Sequence, residues 1–191
     1  MQLNDPVSPQ DRVYRDSVFD SQEIVMGLHW DPPEAGVTAD VADLDALCVL
    51  LDGQGRELEA VYPARPRNVN GSVIHTGDSR TGASEWDHEQ IIVFLEALPE
   101  TVAALAFVVA SVTGHAFSEV RGARCHVSDR VTERAWVRIE LTALDGDTPH
   151  GVATLHRSPT GWKISGGAQI VHDEIMAELL SLVRSGKNHA R

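Results

Sequence analysis

The sequence predicts an all-β protein: a two-sheet antiparallel β-sandwich carrying an amphipathic C-terminal helix. Three observations lead there. Short apolar segments recur along the chain, several with period-two alternation. Clusters of Gly, Pro and Asp separate them at short intervals. A helical period occurs in one segment only, near the C-terminus. Many short strands punctuated in this way indicate a sandwich or barrel rather than alternating βα units. The 191 residues suit one core with a small appended element, since roughly 150 residues is usual for a domain.

Residues 1–22 read as a polar arm with Pro6 and Pro9, anchored only by Val13, Tyr14, Val18 and Phe19. The sandwich is expected over residues 23–186. Ile24, Met26, Leu28 and Trp30 alternate with polar or small residues, a half-buried strand that Asp31-Pro32-Pro33 stops, because proline cannot donate to a ladder. Leu44 to Leu51 is a second strand ending in the turn Asp52-Gly53-Gln54-Gly55, and Val73 to Thr76 a short third. Gln90–Leu95 and Val102–Val112 are near-continuous apolar runs, expected to be buried on both faces and split by Leu98-Pro99-Glu100. Arg134–Leu144 alternates again. Asp145-Gly146-Asp147 turns the chain into Gly151–Arg157 and a last strand near Trp162–Ser165. In Ile170–Val183, the residues Val171, Ile175, Met176, Leu179, Leu180 and Val183 recur at three and four, which predicts a helix laid on the sandwich. The same stripe would also suit a partner protein. Gly186 is the expected C′ glycine, with residues 187–191 as a frayed tail.

The composition, 42% hydrophobic and 23% charged, is that of a folded globular chain. Acidic residues outnumber basic ones 28 to 16, a net charge of −12. That sign disfavours nucleic acid and anionic membrane surfaces, whose binding relies on Lys and Arg. It suits cations, or serves solubility alone. Cys48 and Cys125 are too few for a disulfide framework and read as buried thiols. The N-terminus lacks signal-peptide character, and Val102–Val112 is far shorter than the ~20 residues a membrane helix needs. A cytoplasmic protein with no integral membrane association is expected.

The chemistry concentrates between His75 and Glu89. This Gly-, Ser- and Thr-rich loop joins two predicted strands and carries Asp78, Ser79, Thr81, Glu85, Asp87 and Glu89. Calcium takes about six to eight oxygen ligands in flexible geometry, and glycines let backbone carbonyls turn inward. Asp78 and Glu89 bracket the loop and can close it round an ion. Asp40, Asp43 and Asp45 precede or open the second strand, where Asp43 and Asp45, two apart, share a face. Acidic loops of this composition are also commonly just solvated.

The chain resembles the TerD domain family of tellurium-resistance and stress-response proteins. The resemblance rests on Gly27-Leu28-His29-Trp30-Asp31, Asp43-Leu44-Asp45-Ala46 and Leu51-Asp52. It continues through Gly77-Asp78-Ser79-Arg80-Thr81-Gly82, Trp86-Asp87-His88-Glu89, Ile91-Ile92-Val93, Leu98-Pro99 and Gly161-Trp162-Lys163-Ile164, over roughly residues 23–185. The resemblance implies a β-sandwich that binds Ca2+ at one edge without known catalysis, in a bacterial stress-response assembly with protein partners at the inner face of the membrane. It further implies Asp78, Asp87 and Glu89 as side-chain ligands and Thr81 as a carbonyl donor, with Asp43 and Asp45 as additional ligands.

Four positions depart from the family pattern. Ser79 replaces an Asn, Ser84 and Trp86 replace glycines, and His88 replaces the second acid of a pair. Each removes an oxygen donor or stiffens the loop, so fewer or weaker calcium sites are expected, with one retained. An interaction module with a decayed ion site is the main alternative. A metal-assisted hydrolase using Asp78, Asp87 and His88 is the third, and a concave pocket beside Asp87 and His88 would be its mark. His75, His88, His115 and His126 lack a compact zinc spacing and are expected at the surface or in turns.

Overall fold

The computed structural model describes residues 18–19, 21–32, 41–77, 87–166 and 173–188. The strands are β1 (Val18–Phe19), β2 (Glu23–His29), β3 (Leu44–Leu51), β4 (Glu57–Val61), β5 (Val73–His75) and β6 (Glu89–Phe94). They continue as β7 (Ala104–Ser111), β8 (Arg124–Asp129), β9 (Ala135–Glu140), β10 (His150–Ser158) and β11 (Gly161–Gly166), before helix α1 (Asp173–Asn188). One sheet has six strands in the order β1-β11-β10-β7-β3-β4, and the other has five, β5-β6-β2-β8-β9. Every pairing is antiparallel. The predicted sandwich is therefore the observed fold.

The core lies between the sheets. Leu44, Ala46, Cys48 and Leu50 of β3 and Leu105, Phe107 and Val109 of β7 face Ile24, Met26 and Leu28 of β2, with Trp30 among them. Burying a leucine-sized side chain contributes about 1.5–3 kcal/mol, so these alternate positions carry most of the cohesion. The intervening residues of β3 and β7 point the other way. Leu47, Val49, Leu51, Ala104, Ala106, Val108 and Ala110 form a second cluster with Leu179 and Val183 of α1. The helix thus covers the outer face of the six-stranded sheet, which is why β3 and β7 are buried at every position. Ile175, Met176 and Leu180 pack at its margin, so the predicted stripe faces this protein's own sheet, save Val171, which lies outside the described residues.

Two expectations change. β6 is not buried on both faces: its residues alternate between buried and half-buried, because among the described residues no helix covers the five-stranded sheet there. The helix also continues through Gly186 to Asn188. Glycine permits the left-handed C′ conformation but does not impose it. The turn after β3 forms as read. Asp52 Oδ1 accepts the amides of Gln54 and Arg56 at 2.8 and 2.9 Å, and Gly55 takes φ +76°. Cys48 and Cys125 are buried free thiols, and burial pushes both far above the ordinary thiol range. Of the predicted arm, residues 1–17 lie outside the described residues, and Val18–Phe19 add a short edge strand to β11.

Candidate functional site

Glu89, the first residue of β6, ties the two sheets together. β4 pairs only with Cys48–Leu51, so the β3 amide at Ala46 lies beyond its reach. Glu89 Oε2 accepts that N–H at 2.8 Å from the opposite sheet. His75 Nε2 lies 3.2 Å from the same oxygen, and both side chains are fully buried. The Gly77 N–H points at His75 Nδ1, 3.2 Å away, which leaves the imidazole proton on Nε2, directed at the carboxylate. An unpaired β-edge amide and a buried acid thus satisfy one another.

Two further carboxylates belong to this part of the chain, Asp45 on β3 and Asp43 just before it. Asp45 is fully buried, one peptide bond from the amide Glu89 accepts, and Asp43 is 8% exposed. Alternation puts Asp45 on the outer face with Leu47 and Val49, whereas Glu89 arrives from the other sheet. The Asp43 N–H donates to Thr113 Oγ1 at 3.2 Å, and its carbonyl accepts the Val112 amide at 2.9 Å.

Asp78, Ser79 and Thr81, with Ser84, Glu85 and Trp86, lie outside the described residues, as does Asp40. The two roots of that loop are described. At one, Gly77 is bonded to His75; at the other, His88 N–H donates to Leu28 O at 2.8 Å. Both roots therefore meet at the Glu89 contact. Among the described residues, no group of three or more His, Cys, Asp or Glu side chains converges as ion ligands would.

Asp87 has different neighbours from Glu89. Its Oδ2 lies 3.0 Å from His126 Nε2 and 3.3 Å from Gln90 Nε2. His126 Nδ1 is in turn 3.0 Å from Ser128 Oγ. Partial burial works to raise the Asp87 carboxyl, but the His126 hydrogen bond and charge, helped by Gln90 and His29, hold it below the usual carboxylate range. Gly27 makes this contact possible. It pairs with Gln90 on one side and His126 on the other, and a Cβ there would fall 2.2 Å from Asp87 Oδ2.

The histidines depart from expectation. His75 and His88 are 3% and 9% exposed rather than surface residues. His88 Nδ1 accepts the Trp30 amide at 3.2 Å, and its ring stacks on His29 at 4.5 Å and meets Trp30 edge-on at 4.7 Å. The acid-to-histidine departure has thus become a packing group at the end of β2.

Sequence reasoning missed a cleft of about 280 Å3 on the outer face of the five-stranded sheet, lined by His29, Asp87, Gln90, Arg124, His126, Arg138 and Glu140 among others. Its available signal was Gly27, a glycine inside a strand, which often marks close approach of another group. The hydrolase alternative calls for a concave pocket beside both Asp87 and His88, and this cleft is lined by Asp87 but not by His88.

Among the described residues, no helix is long and apolar enough to cross a membrane. The TerD domain family model matches residues 16–181. The chain is 35% identical over 147 residues to the tellurium resistance protein TerZ of Serratia marcescens, covering 73% of this chain and 76% of that protein. It is 30% identical over 151 residues to general stress protein 16U of Bacillus subtilis (strain 168), covering 75% and 78% respectively. In structure it resembles a homologue of telluride resistance protein (TerD) from Streptomyces coelicolor A3(2), with TM-score 0.67 at 21% identity over 77% of this chain and 88% of that one. The family match spans most of the sandwich and both roots of the acidic loop, and the chain belongs to the TerD domain family.

Proposed function

We infer that this chain is a non-enzymatic calcium-binding module of a bacterial stress response, of the kind its relatives' tellurium-resistance and stress names suggest. It would work in the cytoplasm by docking protein partners. The observation that carries this reading is the burial of three carboxylates: Glu89, where the loop of residues 78–86 is rooted, and Asp43 and Asp45 at the start of β3. Burying carboxylates costs several kcal/mol each unless protons, hydrogen bonds or a cation offset it. Glu89 has the Ala46 amide and His75 among its partners, and a cation held by the loop oxygens would add a counter-charge.

Asp78, Ser79 and Thr81 would supply the loop's oxygens, with Asp43, Asp45 and Glu89 at its base and Asp87 at its exit. Bound calcium would neutralise local charge and order the loop. The protein's own part is to fix the base: the Glu89–His75–Gly77 chain sets where the loop leaves the sheet, and His88 pins its return to Leu28 and Trp30. Because Asp87 leans toward His126, a site weaker than one closed by both Asp87 and Glu89 is expected.

Calcium that binds only the folded state raises the melting temperature. Calorimetric titration and thermal shift with Ca2+ therefore test the reading, with Asp78→Ala as the loop variant. A calcium-dependent rise lost in Asp78→Ala supports it. No heat and no shift at millimolar Ca2+ would leave an interaction module with a decayed site.

The cleft beside Asp87 favours hydrolysis as the second reading. Against it, the His88 ring is packed between His29 and Trp30 with Nδ1 occupied by a backbone amide, an arrangement suited to holding structure rather than moving protons.

A further inference from the structure

The cleft has a construction that calcium binding at the opposite side of β6 does not need. On the outer face, register aligns one cross-strand row Gln90–Gly27–His126–Arg138 and the next His29–Arg124–Glu140. Gly27 leaves a hole in the first row. Asp87 enters it from the chain before β6, and its carboxylate is held by His126 and Gln90. His126 is fixed in turn through Ser128, so one wall of the cleft is locked by hydrogen bonds.

The other wall is cationic. Arg124 and Arg138 come from neighbouring strands at diagonal positions, since Arg124 pairs with Glu140 and His126 with Arg138. Arg124 Nη1 donates one long hydrogen bond, 3.3 Å, to the Gly122 carbonyl. Arg138 lines the same cleft from β9, and among the described residues its side chain makes no hydrogen bond or ion pair. Two guanidinium forks thus border one cavity with most of their donors unused. Planar forks of this kind match carboxylate and phosphate oxygens two at a time. The net charge of −12 argues against anion binding over the surface as a whole, so a cationic wall here is a local feature.

We propose that this cleft binds a small oxyanion-bearing molecule, with its carboxylate or phosphate group between Arg124 and Arg138 and a hydroxyl or amine donor directed at Asp87 and Glu140. The volume of about 280 Å3 admits a small metabolite and no macromolecule. The site shares only Asp87 with the calcium reading: it uses the outer face of β2, β8 and β9, whereas Glu89 reaches between the sheets to the Ala46 amide of β3.

The test is titration of the full chain, kept in EDTA so that calcium plays no part, with inorganic phosphate in one arm and malonate in the other. Backbone amide shifts report location, and calorimetry reports affinity. Saturable shifts confined to β2, β8, β9 and the Asp87–Gln90 segment, weakened at least about tenfold in Arg124→Gln and again in Arg138→Gln, are the expected result. The two arms tell a phosphate site from a carboxylate site. Both arginines are exposed, so their variants keep the fold, and Arg56→Gln on the β3–β4 turn serves as a charge control. Absence of saturable shifts in both arms overturns the proposal. So does undiminished binding in the Arg124→Gln/Arg138→Gln double variant, or an equal loss in Arg56→Gln, which would mark general charge attraction.

Discussion

Gly27→Ala adds one methyl group to the middle of β2, and the structure says what it strikes. The new Cβ would lie 2.2 Å from Asp87 Oδ2 and 2.3 Å from His126 Nε2, well inside van der Waals contact. Both atoms are side-chain ends, so the strand can stay in place while Asp87 and His126 move apart. That movement breaks a 3.0 Å charge-assisted hydrogen bond and the 3.3 Å contact to Gln90. The lost bond costs about 1.5–3 kcal/mol and residual overpacking about 1–3, while the smaller backbone entropy of alanine returns roughly 0.5–1. A net destabilisation of about 1.5–5.5 kcal/mol follows, or a fall in Tm of about 3–22 °C for a domain of this size. Thermal and urea unfolding of Gly27→Ala, Asp87→Ala and the double variant form the assay. Removing Asp87 takes away one of the two clashes, so the cost of Gly27→Ala should drop by about 1 kcal/mol or more in that background. An unchanged Tm, or the same cost in both backgrounds, would refute the reasoning.

Two further outcomes follow from the same geometry. In Glu89→Gln the amide oxygen, set where Oε2 stands, can still accept both the Ala46 N–H and the Nε2–H of His75, but it carries no charge. Both hydrogen bonds lose their charge assistance, so a loss of about 1–2 kcal/mol is expected by urea denaturation; wild-type stability would show the charge to be dispensable. His150 and His156 are both held below the ordinary histidine range by burial. The unfolded chain therefore takes up their protons first as pH falls. Their stabilising contribution is whole above about pH 6.5, declines below it, and is gone once pH passes the folded values. Replacing both by Gln should flatten the dependence of Tm on pH below 6.5, and an unaltered slope would assign that dependence to other groups.

Much of the sandwich was legible because period-two alternation and turn residues are local signals. Leu44–Leu51 and its Asp52 turn form as read, and the C-terminal stripe makes a helix. β4 went unread because Glu57-Leu58-Glu59 is polar on an edge, where few side chains are buried. β8 was missed although Cys125 and Val127 alternate inward, since Arg124, His126 and Ser128 make the segment look like a loop. At the site, Asp43, Asp45 and Glu89 were picked out by composition. Gly27, His126, Arg124 and Arg138 were not, because their proximity depends on strand register rather than on sequence distance.

The sequence by itself determined the fold class, the family and the loop in which oxygen donors gather, because alternation, turn chemistry and motif order are written in consecutive residues. Only the tertiary structure decided how the carboxylates divide. Glu89 turns between the sheets because β4 stops short of Ala46 and leaves an amide to satisfy. Asp87, two residues earlier, turns to the outer face because Gly27 leaves room beside His126. A net charge of −12 is a sum over the chain, whereas a site is set by which charges the folded strands bring into contact.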